Sequence, residues 1–76
     1  MTIGIIGAME EEVAVLKQEM DIEETVDYAS MQFCKGTLCG KNVVIVRSGI
    51  GKVNAAICAQ ILADKFNVDV LINTGI

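Results

Sequence analysis

Apolar residues fall along this chain in two rhythms. Short runs of them at Thr2–Ile6, Met31–Leu38, Val43–Arg47 and Val68–Asn73 have the length of strands. Between the runs, Met9, Val13, Leu16 and Met20 recur at i, i+4, i+7 and i+11, which predicts a helix from Met9 to about Met20 with one apolar stripe. A second helix is expected over Lys52–Lys65, where "VNAAICAQILA" is apolar on most sides and so should be largely buried against a sheet. The first run stops at Gly7, and "SGIG" breaks the chain after Arg47. Gly40 and Asn42 in "CGKN" make a turn between the two middle runs. Asp21–Asp27 is acidic and reads as a loop leading into an extended segment.

The resulting order is strand, helix, two strands, helix, strand, which is an α/β order. It implies a crossover connection and a sheet covered on both faces. "VVIV" at 43–46 supports this, being β-branched throughout and apolar on both faces. The last run has the character of a buried, central strand. With 76 residues a chain buries only about 60% of its unfolded surface, yet 53% of these residues are hydrophobic. The chain is therefore expected to be the N-terminal part, residues 1–76, of a larger single domain. In isolation it is expected to aggregate or remain molten.

Charge narrows the partners. A net charge of −4 with six scattered basic residues argues against a nucleic-acid backbone as partner. No apolar run approaches the ~20 residues of a membrane span, and neither a membrane partner nor a secretory signal is expected. Three cysteines, Cys34, Cys39 and Cys58, without a CxxC pair or any histidine, fit reduced thiols in the cytoplasm better than a disulfide framework or a zinc site. Neither a metal nor a cofactor is expected. Cys58 reads as a small core residue.

The chemistry concentrates in "TIGIIGAMEEEV". Acidic residues in a first helical turn interact favourably with the macrodipole, and that alone accounts for three glutamates. Helical geometry nevertheless separates them. At about 100° per residue, with Met9 as zero, the apolar stripe centres near 10° and Glu11 falls near 200°, in solvent. Glu10 near 100° and Glu12 near 300° flank the stripe. Glu12 is expected to be the partly buried one, where strand ends meet the helix. Three predicted strand ends are followed by glycine, at Gly7, at Gly49 with Gly51, and at Gly75. If the strands run parallel, these loops share the edge where α/β sheets bind ligands. A carboxylate there can take a proton from water. Two phosphate motifs are set aside. "SGIGKV" lacks the first glycine and the hydroxyl of a P-loop, and "GIIGAM" is not GxGxxG. Three carboxylates at that helix start would also repel a pyrophosphate.

Taken in order and spacing, "IGIIGAMEEEV", "SGIGKVNAA" and "INTG" resemble the bacterial 5′-methylthioadenosine/S-adenosylhomocysteine nucleosidases. The resemblance covers the whole chain but only the N-terminal portion of that family's subunit. It implies a three-layer α/β/α sandwich of the nucleoside phosphorylase/hydrolase type and, as expectations, a homodimer active in methionine salvage. The implied reaction is hydrolysis of an N-glycosidic bond, releasing adenine and a thio-substituted ribose. By the match, Glu12 corresponds to the carboxylate that orients and deprotonates the attacking water. Ala8 and Met9 correspond to residues on the water and ribose side, Ile50 to an apolar contact for the 5′-alkylthio group, and Gly75 and Ile76 to the opening of a loop near the ribose. Ile76 stands where some relatives carry serine, so the water lacks that hydroxyl. The acid that protonates adenine and the purine pocket lie outside these residues, and the chain alone is not expected to catalyse.

Other readings stay open for several residues. Met9 also serves as the first core position of its stripe, and Ile50 as a plug at a strand–helix junction. Lys52 reads as a solvated first-turn residue, and Asn73 and Thr74 as backbone hydrogen-bonding groups. Two further function classes compete: a phosphate-dependent phosphorylase of the same fold, and a nucleoside-binding module without catalysis.

Overall fold

In a computed structural model the protein's backbone is described for residues 1–7, 9–48 and 52–74, with side chains for all of these except 52–54. A five-stranded sheet carries a helix on each face. The elements run β1 (Thr2–Gly7), α1 (Glu10–Glu19), β2 (Asp21–Tyr28), β3 (Met31–Leu38), β4 (Lys41–Arg47), α2 (Lys52–Phe66) and β5 (Val70–Asn73). The strand order is β2-β3-β4-β1-β5. β1 pairs in parallel with both β4 and β5, whereas β2, β3 and β4 form an antiparallel meander.

The two central strands show why both faces are covered. In β1 and β4 successive side chains alternate between two cores. Ile5, Val43 and Ile45 meet Val13 and Met20 of the α1 region. Ile6, Val44 and Val46 meet Cys58 and Leu62 of α2, together with Phe33. The β-branched run "VVIV" is buried along its whole length, as a strand sandwiched between helices must be. Cys58 is a small core residue, as expected.

Three expectations need correction. Asp21–Asp27 is not a loop but most of β2, an edge strand paired to β3 with a register shift between Ile22 and Glu24. Its acids disfavour strand formation locally. On an outer edge, however, they remain in water and discourage pairing with another chain. Met9 does not begin the buried stripe; it is the extended N-cap of α1 and 54% exposed. Among its described side chains α2 is buried on one face, through Cys58 and Leu62, while Ile57 is 40% exposed. Within these 76 residues β5 is the outer strand, and its Val70, Leu71 and Ile72 are exposed.

Both hairpins use two-residue turns. Cys39 and Gly40 have φ of 53° and 78° between paired Leu38 and Lys41, and Ala29 and Ser30 have φ of 52° and 65° between paired Tyr28 and Met31. Positive φ at both positions is the type I′ pattern, which matches strand twist and favours Asn-Gly. Alanine meets a Cβ clash there that glycine removes and that asparagine offsets by local hydrogen bonding. Ala29→Asn combined with Ser30→Gly is therefore expected to stabilise the full-length protein by about 1 kcal/mol, read as a higher urea midpoint at unchanged slope. A lower midpoint would show that the turn is not strained.

Candidate active site

The carboxyl ends of β1, β4 and β5 lie side by side, as the glycine-bounded runs suggested. Backbone bonds continue the parallel ladder past the strands. The Ser48 N–H donates to the Gly7 carbonyl at 2.9 Å, and the Thr74 N–H donates to the Ile6 carbonyl at 2.9 Å. The Thr74 hydroxyl adds a longer bond to the same oxygen, so Thr74 does the backbone work expected of it. At the other edge Asp69 clamps the start of β1, accepting from the Thr2 N–H and donating its own N–H to the Thr2 carbonyl.

Gly7 brings α1 close to this edge. A Cβ at Gly7 would stand 2.5 Å from Cγ2 of Val13, so only glycine lets the first turn of the helix pack down on the strand end. Val13 is wholly buried there. Met9, in extended conformation, turns the chain into the helix. Glu12, at the third helical position, folds back so that its Oε1 accepts a bond from the Met9 N–H at 3.3 Å. This satisfies one of the unpaired N–H groups of a helix start. It also fixes one end of the carboxylate over the segment that leaves β1.

Glu12 is exposed, not partly buried as its angular position suggested. The physical reason is that only the apolar stripe of α1 enters the core, through Val13 with Leu16 packed partly against it, and the flank that carries Glu12 stays in solvent. Glu11 is exposed as expected. Glu10 forms an ion pair with Arg47, whose Nε lies 3.3 Å from Oε2. Sequence reasoning missed Arg47. The signal was present, since Arg47 continues the i, i+2 face of Val43 and Ile45 toward α1. Of the other expected site residues, Met9 is exposed at the edge beside Glu12, while Ala8, Ile50, Gly75 and Ile76 lie outside the described residues. So does the side chain of Lys52.

No group of three or more His, Cys, Asp or Glu arranged to hold a metal occurs among the described residues. No helix among them is long and apolar enough to cross a membrane. The three thiols are free. Burial pushes the Cys58 thiol up from its ordinary value. A raised thiol keeps its proton in the folded state, so its contribution to stability is full below the ordinary thiol range and is lost as pH rises above it. With Cys34 and Cys58 buried and Cys39 exposed in its turn, a thiol reagent at neutral pH is expected to label Cys39 rapidly and the other two only on unfolding. Rapid labelling of Cys58 in the folded protein would contradict the packing of α2.

The same architecture recurs in known proteins. The chain is 56% identical over 75 residues to the 5′-methylthioadenosine/S-adenosylhomocysteine nucleosidase of Listeria welshimeri, covering 99% of this chain and 32% of that protein. The structure of the nucleosidase of the same name from Colwellia psychrerythraea, in complex with adenine, superposes with a TM-score of 0.91 at 51% identity, over 96% of this chain and 30% of that one. The Streptococcus pneumoniae nucleosidase with a transition-state inhibitor gives a TM-score of 0.90 at 48% identity, over 96% of this chain and 32% of that one. The chain thus spans about a third of the length of the relatives it matches. The sheet order, the two covering helices and the glycine-bounded strand ends fall within one family profile, the phosphorylase superfamily, which matches residues 2–76, and the chain belongs to that superfamily.

Proposed function

We propose that the chain forms the N-terminal part of a nucleosidase that hydrolyses the N-glycosidic bond of 5′-methylthioadenosine and S-adenosylhomocysteine. The observation that carries this reading is a carboxylate, Glu12, held on the Met9 N–H beyond the carboxyl ends of three parallel strands. The names of the similar proteins, and the adenine and inhibitor bound to two of them, support the substrate class.

In this reading Glu12 accepts a proton from a water whose oxygen attacks the anomeric carbon as the bond to adenine breaks. The bonding electrons leave with adenine, which is protonated by an acid outside these residues. Water takes the place that phosphate occupies in a phosphorylase, and a carboxylate there suits water and repels a phosphate. Ala8, Met9, Ile50, Gly75 and Ile76 line the ribose and alkylthio side, with Met9 and Ile50 offering apolar contact to a thioether. The assignment extends to a cytoplasmic homodimer without metal or cofactor, acting in methionine salvage.

The test is adenine release from methylthioadenosine by the full-length protein, with and without inorganic phosphate. Release independent of phosphate is expected. Release only with phosphate would make the protein a phosphorylase, and binding without release would make it a nucleoside-binding module.

A further inference from the structure

One ion pair joins the helix that carries Glu12 to the strand that leads into "SGIG". The register sets Arg47 beside Gly7, the last residue of β1. Three residues beyond Gly7 the chain has turned into α1, and Glu10 comes back to meet Arg47 Nε at 3.3 Å. About two turns further along, Lys17 Nζ donates to Gln32 Oε1 at 3.4 Å. Glu10 and Lys17 differ by about 20° around the helix, whereas Glu12 lies about 200° from Glu10. Both polar tethers therefore lie on the flank turned toward β3 and β4, and Glu12 lies on the other. Glu10, Lys17, Ser30, Met31, Gln32 and Arg47 line an open groove of about 270 Å³ on the tethered flank.

The first turn needs such a tether. α1 has only ten residues, and the three glutamates of its first turn are all exposed. Val13 is the one α1 residue buried completely. Leu16 packs partly against the same cluster and Met20, the C-cap, is buried in it, so α1 sits on one apolar stripe and can roll about it. Rolling moves a residue on the flank, such as Glu12, more than it moves Val13.

We propose that Arg47 is a positioning residue for the reaction, holding Glu12 in place through its ion pair with Glu10. This rests on the nucleosidase reading above. Arg47 is given no contact with substrate; its role is to fix the roll of α1 against the end of β4. The pair is half-exposed on both sides, at 54% and 60%, so its effect is bounded by that of a solvent-screened pair.

The experiment uses the full-length enzyme and steady-state kinetics on methylthioadenosine and S-adenosylhomocysteine. Arg47→Met is expected to lower kcat roughly two- to fivefold, the range a screened pair sustains, with KM for both substrates unchanged. Arg47→Lys is expected to restore most of that loss. Glu10→Gln is expected to give the same decrease as Arg47→Met, and the double variant no further decrease, because both remove one interaction. Melting temperatures of all four establish that they are folded. Wild-type kcat in Arg47→Met, or additive losses in the double variant, would overturn the proposal. A KM rise confined to S-adenosylhomocysteine would also overturn it, by making Arg47 a contact for the amino-acid tail. Failure of the nucleosidase reading is a separate observation, since it appears as absence of phosphate-independent release in the unsubstituted enzyme.

Discussion

Glu12→Gln in the full-length protein is expected to lower kcat for adenine release by about 10²–10⁴-fold, the contribution typical of a positioned general base. The substitution isolates the chemistry. A glutamine oxygen still accepts the bond from the Met9 N–H, so the helix start keeps its partner and the melting temperature should hardly change. What is lost is the capacity to take a proton. Glu12→Ala is the complementary variant, because it removes both the base and the cap. It should show the same kinetic loss and, in addition, a stability loss of about 0.5–2 kcal/mol. Glu11→Gln, on the solvated flank, should leave kcat within twofold of the unsubstituted enzyme. Equal effects of Glu11→Gln and Glu12→Gln would mean that the acidic triplet acts only through its summed charge at the helix start.

The largest stability effect is expected at Phe33. Its side chain is fully buried, stacked on Phe66 at 5.5 Å between ring centroids and edge-on to Tyr28 at 5.9 Å. Tyr28 also meets Phe66 edge-on at 6.0 Å, so β2, β3 and the end of α2 are joined by three rings. Phe33→Ala removes the middle of this cluster and leaves a cavity beneath α2. A loss of about 3–5 kcal/mol follows for such a truncation, measured by urea unfolding of the full-length protein. Phe33→Leu should lose much less, because it keeps most of the volume. A loss below about 1 kcal/mol for Phe33→Ala would mean that the site collapses without a cavity and that the ring cluster contributes little.

The sequence disclosed the middle of the fold better than its margins. Runs such as "VVIV" admit one reading, since a strand apolar on both faces must lie between layers, and Val43–Val46 lie there. Period counting found α1 and the packing of Val13, Leu16 and Met20, but overextended the stripe at its start, because Met9 matches the spacing while serving as the exposed N-cap. β2 escaped because its acids speak against a strand locally, and only pairing with β3 decides otherwise. At the candidate site, the flank of Glu12 was legible from 100° per residue. Its exposure was not, because burial of that flank depends on tertiary packing that the angle alone does not give. The Glu10–Arg47 pair depends on the register between β1 and β4, over residues about 40 apart, which no local pattern encodes. The roles assigned to Ala8, Ile50, Gly75 and Ile76 rest on the resemblance.

The place of β1 in the sheet bears on how the protein is made. β1 has no sequence-adjacent partner in the sheet. Its neighbours are β4 and β5, and the clamp between Thr2 and Asp69 closes over 67 residues. The β2–β3–β4 meander forms from local turns and can assemble early. β1 must wait, apolar on both faces, until β4 is complete, and its second edge until β5 emerges. Closing those long loops sets the slow step of folding. During synthesis β1, which leads into the candidate site, is therefore an aggregation hazard.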